Sequence, residues 1–159
     1  MLVVHVVCFG SLVQGDDGFG VHVHRRLLAH LWPAHVRIFD GSTLGLGALA
    51  AFDDCDRAVV VDALELRGSP GRLHRLRLDE LAPPVETFSA HAMDLSHLFH
   101  VLPILFDGRP MPAIEVLGAE IERPSGTFSM SLSPALQAAV DATVILLRAE
   151  LGAPSNTLG

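Results

Sequence analysis

The chain has 159 residues, of which 50% are hydrophobic and 18% charged, and this length supports one buried core with little material for a second domain. Its 18 acidic residues outnumber 11 basic residues, all arginine, and the formal charge of −7 disfavours nucleic acid as a partner. No uncharged apolar run reaches the roughly 18 residues that a membrane span needs. The first residues lack the basic start of a signal peptide. We therefore expect one cytoplasmic domain over residues 1–152, without a membrane partner, and a disordered tail over 153–159.

The first half of the chain alternates strand and helix patterns. Residues 2–9 form a β-branched apolar run that ends at Gly10, which is typical of a parallel strand covered on both faces. A helix follows, and Pro33 is expected to close it. One face of this helix is predicted to carry Val21, His24, Leu28 and Leu31. Residues 36–39 then predict a second strand, which ends at Asp40.

The rest of the chain continues this alternation. A third strand is predicted at 58–61, a weaker strand at or near an edge at about 72–78, and a further strand at 114–117. Ser89 is predicted to cap a helix that ends at Leu102, before Pro103. The last helix should begin after Ser133, with Pro134 in its first position, and end at Gly152. Its buried face is predicted to consist of Leu136, Val140, Thr143, Leu147 and Leu151.

The order of these elements predicts an α/β fold. Strands that alternate with helices favour a single-domain three-layer αβα sandwich around a mostly parallel twisted sheet of about five strands. In such sheets ligands bind beyond the carboxyl ends of the strands, where the winding reverses. Gly10 to Asp17, Asp40 and Asp62 all follow strand ends. We therefore expect a polar crevice there.

The turn from Gly10 to Gly20 has the glycine spacing of a phosphate-binding loop but the wrong charges. A phosphate loop places lysine and a hydroxyl group after its second glycine, whereas this turn places Asp16 and Asp17 there. Two carboxylates at the start of a helix favour a cation over an anion. One of them could simply cap the helix, which is a common role for aspartate.

Two further residues complete a possible metal site. Asp62 follows the third strand, and in a 2-1-3 strand order it would face the same crevice as Asp17, where two close carboxylates need a cation or a shared proton. His91 lies in the predicted first turn of the helix that follows Ser89. Alone, Asp62 would be an ordinary strand-end residue and His91 a surface residue. Together with Asp17 they give a three-ligand set that suits nickel or zinc and leaves coordination positions open.

Other catalytic classes have no support in the sequence. It contains no HExxH zincin motif, no GxSxG nucleophile elbow, and no cysteine with an obvious histidine partner. Cys8 and Cys55 have no CxxC spacing, so we expect reduced thiols, with Cys8 packed in the core. Histidines 22, 24, 30, 35, 97 and 100 are interpreted as solvated.

The ordered motifs resemble those of the hydrogenase maturation endopeptidases over about residues 3–151. The matching segments are Gly10 through Asp16-Asp17-Gly18 to Gly20, Asp40-Gly41-Ser42-Thr43, Val61-Asp62-Ala63, Pro70-Gly71, Ser89-Ala90-His91 and Leu117-Gly118. The resemblance implies that Asp17, Asp62 and His91 bind metal and are catalytic. It also implies that residues 40–43 form a substrate-recognition loop. Two departures from the family pattern are Ser42, which replaces a glycine, and Ser11, which replaces an asparagine; Phe9 also stands where many members have a small residue.

The resemblance implies a specific activity. The protein is expected to remove the C-terminal extension of a nickel-iron hydrogenase large-subunit precursor after nickel insertion, using the nickel of the substrate for recognition. Another divalent cation could occupy the site in isolation. As a hypothesis, Asp16 or Asp40 accepts a proton during cleavage. The alternatives are a non-catalytic nickel-binding chaperone of the same precursor and a nucleotide-binding module, which the two acids disfavour. A monomer is favoured.

Overall fold

A computed structural model describes residues 1–66, 68–78, 95–123 and 126–152, with the side chains of all of these except 44–46 and 95–99. The strands are β1 (Val4–Cys8), β2 (Val36–Asp40), β3 (Arg57–Glu65), β4 (Leu73–Arg77) and β5 (Ala113–Ile121). The α-helices are α1 (Phe19–Leu28), α2 (Gly41–Leu44), α3 (Leu95–Leu105) and α4 (Pro134–Leu151). Two 3-10 segments, Gly15–Gly18 and Gly45–Phe52, precede α1 and follow α2. The predicted tail at 153–159 lies outside the described residues.

The five strands form one sheet in the order β2-β1-β3-β5-β4. Strands β2, β1, β3 and β5 are parallel, and β4 pairs antiparallel with β5 at the edge. All five residues of β1 are buried, as are seven consecutive residues of β3, because helices cover both faces of these central strands. The predicted 2-1-3 order and the edge position of the strand near 72–78 are confirmed.

Two apolar layers hold the sheet between helices. On one face, alternate strand residues such as Val6, Val61 and Leu117 pack with α1 and α4. On the other face, Val7 and Val60 pack with the segment Gly45–Phe52 and with α3. Because a strand exposes successive side chains on opposite faces, both layers come from the same strands. The predicted three-layer αβα fold is confirmed. In the described ranges, no helix is both long and apolar enough to cross a bilayer.

The ends of α4 follow the sequence prediction closely. Ser133 caps the helix by accepting a hydrogen bond from the Leu136 amide, Pro134 begins it, and Gly152 ends it with a left-handed φ of 69°. Glycine suits this position because it has no Cβ to clash in that conformation. All five residues of the predicted apolar face are buried: Leu136, Val140, Thr143, Leu147 and Leu151.

The predicted apolar face of α1 is correct at Val21, which is 7% exposed, but wrong at Leu28 and Leu31. Leu28 is 60% exposed and Leu31, beyond the helix, is 73% exposed, whereas Phe19, Val23 and Leu27 are fully buried. The helix is rotated because its first turn lies directly on the sheet at Gly20. A Cβ at Gly20 would overlap the carbonyl oxygen of Phe9. This contact decides which side of the helix faces the core.

The structure also corrects two predicted element ends. Pro103 was expected to stop α3 but lies inside it, and Phe106 still donates a backbone hydrogen bond to Leu102 at 3.0 Å. Both Leu102 and Phe106 are buried against the sheet, and this packing offsets the hydrogen bond that proline removes. Asp62 was expected to end its strand, but β3 continues to Glu65 because β5 pairs with it over that whole length.

Candidate active site

The glycine-rich turn lies against the carboxyl ends of the two central strands. The Phe9 amide donates to the Val61 carbonyl at 2.8 Å, which extends the β1 pairing to β3 by one residue. A Cβ at Gly20 would lie 2.8 Å from the same Val61 oxygen. The 3-10 segment Gly15–Gly18, which carries Asp17, also contacts β3. The turn is therefore held on the strand that carries Asp62.

Asp17 and Asp62 are both deeply buried at this edge of the sheet. Their exposed fractions are 2% and 1%, and one Asp62 oxygen accepts the Ala63 amide at 2.8 Å. Burial raises the pKa of the Cys8 thiol at the end of β1, and the negative charges of Asp40 and Asp62 raise it further. Buried carboxylates are costly in proteins unless a cation, a proton or hydrogen bonds compensate them. This pair is therefore the strongest candidate for a functional centre.

Asp16 makes a different set of contacts from its neighbour. One carboxylate oxygen accepts the Ser133 amide at 2.6 Å, and the other accepts the Ser133 hydroxyl at 2.8 Å. Because Ser133 caps α4, Asp16 fixes the turn to the start of that helix. A negative charge there also interacts favourably with the helix dipole. The role of Asp16 as a proton acceptor stays a prediction, and the contacts give it a structural role.

The segment Asp40-Gly41-Ser42-Thr43 forms the end of β2 and the first turn of α2. The Asp40 carboxylate accepts the Ser42 amide at 3.0 Å and the Ser42 hydroxyl at 2.5 Å. The Thr43 hydroxyl donates to the Asp40 carbonyl at 3.4 Å. Asp40 therefore orders its own loop, while the side chains of Ser42 and Thr43 are exposed. Substrate recognition by this loop stays a prediction.

The departures from the family pattern fit the local geometry. Ser42 does not have a positive φ, so its backbone does not need the glycine that it replaces. Phe9 fills the space next to Gly41, where a Cβ would lie 2.5 Å from the phenyl ring. Ser11 donates its amide to the Asp17 carbonyl at 3.1 Å and so closes the turn through its backbone. Residue 11 can therefore change without losing that contact.

The third predicted ligand, His91, lies outside the described residues together with Ser89. Within the described ranges, no three histidine, cysteine or acidic side chains are grouped as metal ligands. The structure thus brings the turn of Asp17 and the strand of Asp62 together, and the joining of His91 to them stays a prediction. Asp17 and Asp62 carry hard carboxylate oxygens, a donor type that nickel and zinc accept together with imidazole.

The two cysteines and two of the histidines have environments that differ from solvent. Cys8 is fully buried, which raises the pKa of its thiol and agrees with the predicted core role. Burial and the nearby Asp56 raise the pKa of Cys55 to about 11, and both cysteines are free thiols. His22 and His30 are half-buried, so their interpretation as solvated is only partly correct; partial burial and nearby arginines lower the pKa of each.

Two acidic residues near the site were missed in the sequence. Burial raises the pKa of Glu65, at the end of β3; Arg123 lowers it, and Asp17 raises it further. Glu120 in β5 is only 4% exposed. One of its carboxylate oxygens forms a hydrogen bond of 2.6 Å with Nε2 of His74 in β4. A Cβ at Gly68 would lie 2.5 Å from its other oxygen. The available signal was a charged residue inside an apolar strand, which is rarely buried without a partner.

Comparison with known proteins gives a consistent result. The HycI hydrogenase maturation protease family matches residues 21–150. A putative hydrogenase maturation protease of Methanocaldococcus jannaschii is 29% identical over 152 residues, which cover 92% of this chain and 94% of that protein. The hydrogenase expression/formation protein HupD of Rhodobacter capsulatus is 37% identical over 79 residues, which cover 49% of this chain and 38% of HupD.

The fold has a solved counterpart. The structure superposes on the hydrogenase maturating endopeptidase HybD of Escherichia coli with a TM-score of 0.76, over 94% of this chain and 91% of that one. At 23% identity, this likeness shows the fold alone. The family match, by contrast, spans most of the sequence and includes β3 with Asp62. The chain therefore belongs to the hydrogenase maturation protease family.

Proposed function

We propose that this protein is an endopeptidase that removes the C-terminal extension of a nickel-iron hydrogenase large-subunit precursor after nickel insertion. Family membership supports the reaction class. The observation that carries the proposal is the burial of Asp17 and Asp62 at the edge of the sheet where α/β proteins bind ligands. Two carboxylates in that position favour a cationic group in the substrate.

In this proposal the nickel belongs to the precursor and Asp17, Asp62 and His91 bind it through open coordination positions. A divalent ion supplies polarisation of the scissile carbonyl or a lowered pKa for an attacking water. The two carboxylates supply negative charge in a site from which water is largely excluded, where attraction to a cation is stronger than in bulk water. Another divalent cation could bind the same ligands in the isolated protein.

The surrounding residues orient the ligands. The two hydrogen bonds from Ser133 to Asp16 hold the turn in which Asp17 lies, and the Asp40 carboxylate holds the loop 40–43. Such supporting contacts keep ligands in the geometry that binding requires. Proton transfer through Asp16 or Asp40 is part of the proposal. Each carboxylate already accepts hydrogen bonds from a serine, Ser133 for Asp16 and Ser42 for Asp40, and each keeps further lone pairs that could accept a proton.

The test combines the purified protein with a large-subunit precursor, with and without nickel. Mass spectrometry should detect a short C-terminal peptide released only from the nickel-loaded precursor. Asp17→Asn, Asp62→Asn and His91→Ala should each reduce the rate at least about a hundredfold, as expected for loss of a group that stabilises the transition state. Asp107→Asn is the matched control, because Asp107 is an exposed aspartate outside the candidate site. This variant should cleave the precursor at the wild-type rate.

The outcomes separate the possible functions. Cleavage of the nickel-free precursor at the same rate would contradict recognition through nickel. Wild-type cleavage by all three variants would contradict the proposed site. Tight binding of the nickel-loaded precursor without peptide release would favour a nickel-binding chaperone instead. The cytoplasmic location and the monomeric state are predictions that fractionation and analytical ultracentrifugation can check.

A further inference from the structure

Three large apolar side chains are exposed next to the glycine-rich turn. Val13 is 41% exposed, Met130 60% and Phe128 84%. They belong to two segments that pair as a short parallel bridge between Gln14 and Ser129. The Ser129 amide donates to the Val13 carbonyl at 3.0 Å, and the Gly15 amide donates to the Ser129 carbonyl at 2.7 Å. We call Val13, Phe128 and Met130 the apolar ledge.

The backbone beneath the apolar ledge is fixed at several points. Leu132 is 8% exposed and belongs to the core, and its carbonyl accepts the Gln137 side chain at 3.0 Å. On the C-terminal side of the ledge, the Ser133 amide donates a hydrogen bond to the Asp16 carboxylate. The ledge side chains therefore extend from an ordered backbone. In a soluble protein, grouped exposed apolar side chains commonly indicate a binding surface.

The apolar ledge is continuous with the candidate active site. Val13 lies four residues before Asp17 in the same turn, and Gly15 joins the bridge to the 3-10 segment that carries both acids. A chain bound on the ledge would run next to Asp17. Proteases must hold several residues on either side of the bond that they cut, because positioning of the substrate supplies much of the catalytic effect.

The size and charge of this surface favour a polypeptide substrate over other occupants. Three side chains offer far less than the roughly 800 Å² per partner of a stable protein interface, so they suit a transient contact. The chain has a formal charge of −7, and Asp16 and Asp17 lie beside the ledge, which disfavours an anionic membrane surface. Two identical acidic surfaces would also repel each other.

We propose that the apolar ledge binds an apolar segment of the precursor polypeptide beside the scissile bond. This inference rests on the proposed function and adds a substrate-binding surface to it. Phe128 is the central contact because it is the largest and most exposed of the three side chains. Binding removes its ring from water, and an aromatic side chain that becomes buried at an interface commonly dominates the affinity.

The experiment measures cleavage kinetics and precursor affinity for the full-length protein. The double variant Phe128→Ser/Met130→Ser should raise KM and the Kd for the nickel-loaded precursor about tenfold or more while kcat changes little, because the lost contact stabilises ground state and transition state equally. Phe128→Leu should keep most of the affinity. Ile145→Ser on α4, where the side chain is 68% exposed, is the matched control and should leave KM unchanged.

Each outcome supports or overturns the inference. A wild-type KM and Kd in the double variant would overturn it. A shift from dimer to monomer in the double variant, seen by ultracentrifugation, would assign the ledge to self-association instead. Ledge-dependent binding to phosphatidylserine vesicles, with unchanged precursor affinity, would assign it to a membrane. If the wild-type protein binds the precursor through the ledge but does not cleave it, only the proposed protease function is overturned. If the wild-type protein neither binds nor cleaves the precursor, both proposals are overturned.

Discussion

The phenyl ring of Phe9 occupies the space in which a side chain of residue 41 would begin. A Cβ built on Gly41 would lie 2.5 Å from Cε1 of Phe9 and 2.7 Å from Cζ. Phe9 is 3% exposed, so its ring cannot move into solvent without leaving the core. The end of β1 and the start of the Asp40 loop are therefore matched in shape, with the large residue directly after β1 and the glycine directly after β2.

This pairing predicts that Gly41→Ala destabilises the protein through Phe9. The added methyl group should lower the free energy of unfolding by about 1–3 kcal/mol, as for other overpacked sites. Phe9→Leu in the same chain should restore part of the loss by making space. Urea unfolding of the two single variants and the double variant measures this coupling. If the change in unfolding free energy of the double variant equals the sum of the two single changes within about 0.5 kcal/mol, the two residues do not share a packing site.

The contacts of Ser133 predict that one hydroxyl group supports both the turn and α4. Ser133→Ala removes the donor to Asp16 and the acceptor for the Leu136 amide, and should cost about 1–2 kcal/mol. Asp16→Asn should cost less, because an amide oxygen can still accept the Ser133 amide. Ser131→Ala, which changes an exposed serine nearby, is the control in urea unfolding. Equal stability of Ser133→Ala and Ser131→Ala would contradict this role.

The pair of His74 and Glu120 predicts a coupling between the edge strand and β5. His74→Ala should lower the free energy of unfolding by about 1–3 kcal/mol at neutral pH, because it leaves the buried Glu120 carboxylate without the 2.6 Å contact. Adding Glu120→Gln to His74→Ala should then recover stability, since a neutral amide is cheaper to bury than a charge. Further loss in the double variant, measured by thermal unfolding, would argue against this account.

Glu65 predicts a pH dependence of stability with a defined sign. Burial, opposed by Arg123 and aided by Asp17, raises the pKa of Glu65 in the folded protein. The unfolded chain therefore loses this proton first as pH rises, and ionisation of Glu65 then costs stability. Glu65→Gln should raise the Tm at pH 7, and the gain should vanish below the ordinary glutamate pKa of about 4.3.

A matched substitution controls for the general effect of removing one negative charge. Glu122→Gln changes an exposed glutamate in the same region and should leave the Tm nearly unchanged at both pH values. A Tm gain of equal size in the two variants would assign the effect to net charge. A gain in Glu65→Gln that persists in acid would show that burial of the charge is not its cause.

Much of the fold was predictable because its signals are local. The apolar run of β1 and the capping residues of α4 both act over a few residues, and the structure agrees with each. The part of the candidate site that depends on strand order was also predictable. The parallel order of the strands alone places Asp62 at the edge of the sheet where the Asp17 turn lies. His91 stays a prediction because it lies outside the described residues.

The sequence by itself determined the order of strands and helices, the parallel sheet and the acidic turn at its carboxyl edge. These follow from periodicity and turn chemistry, which are properties of neighbouring residues. Only the tertiary structure decided the buried face of α1, the continuation of α3 through Pro103, and the partners of Asp16 and Glu120. Those partners lie 117 and 46 residues away along the chain. Such contacts depend on how the elements pack in space, so a local pattern does not contain them.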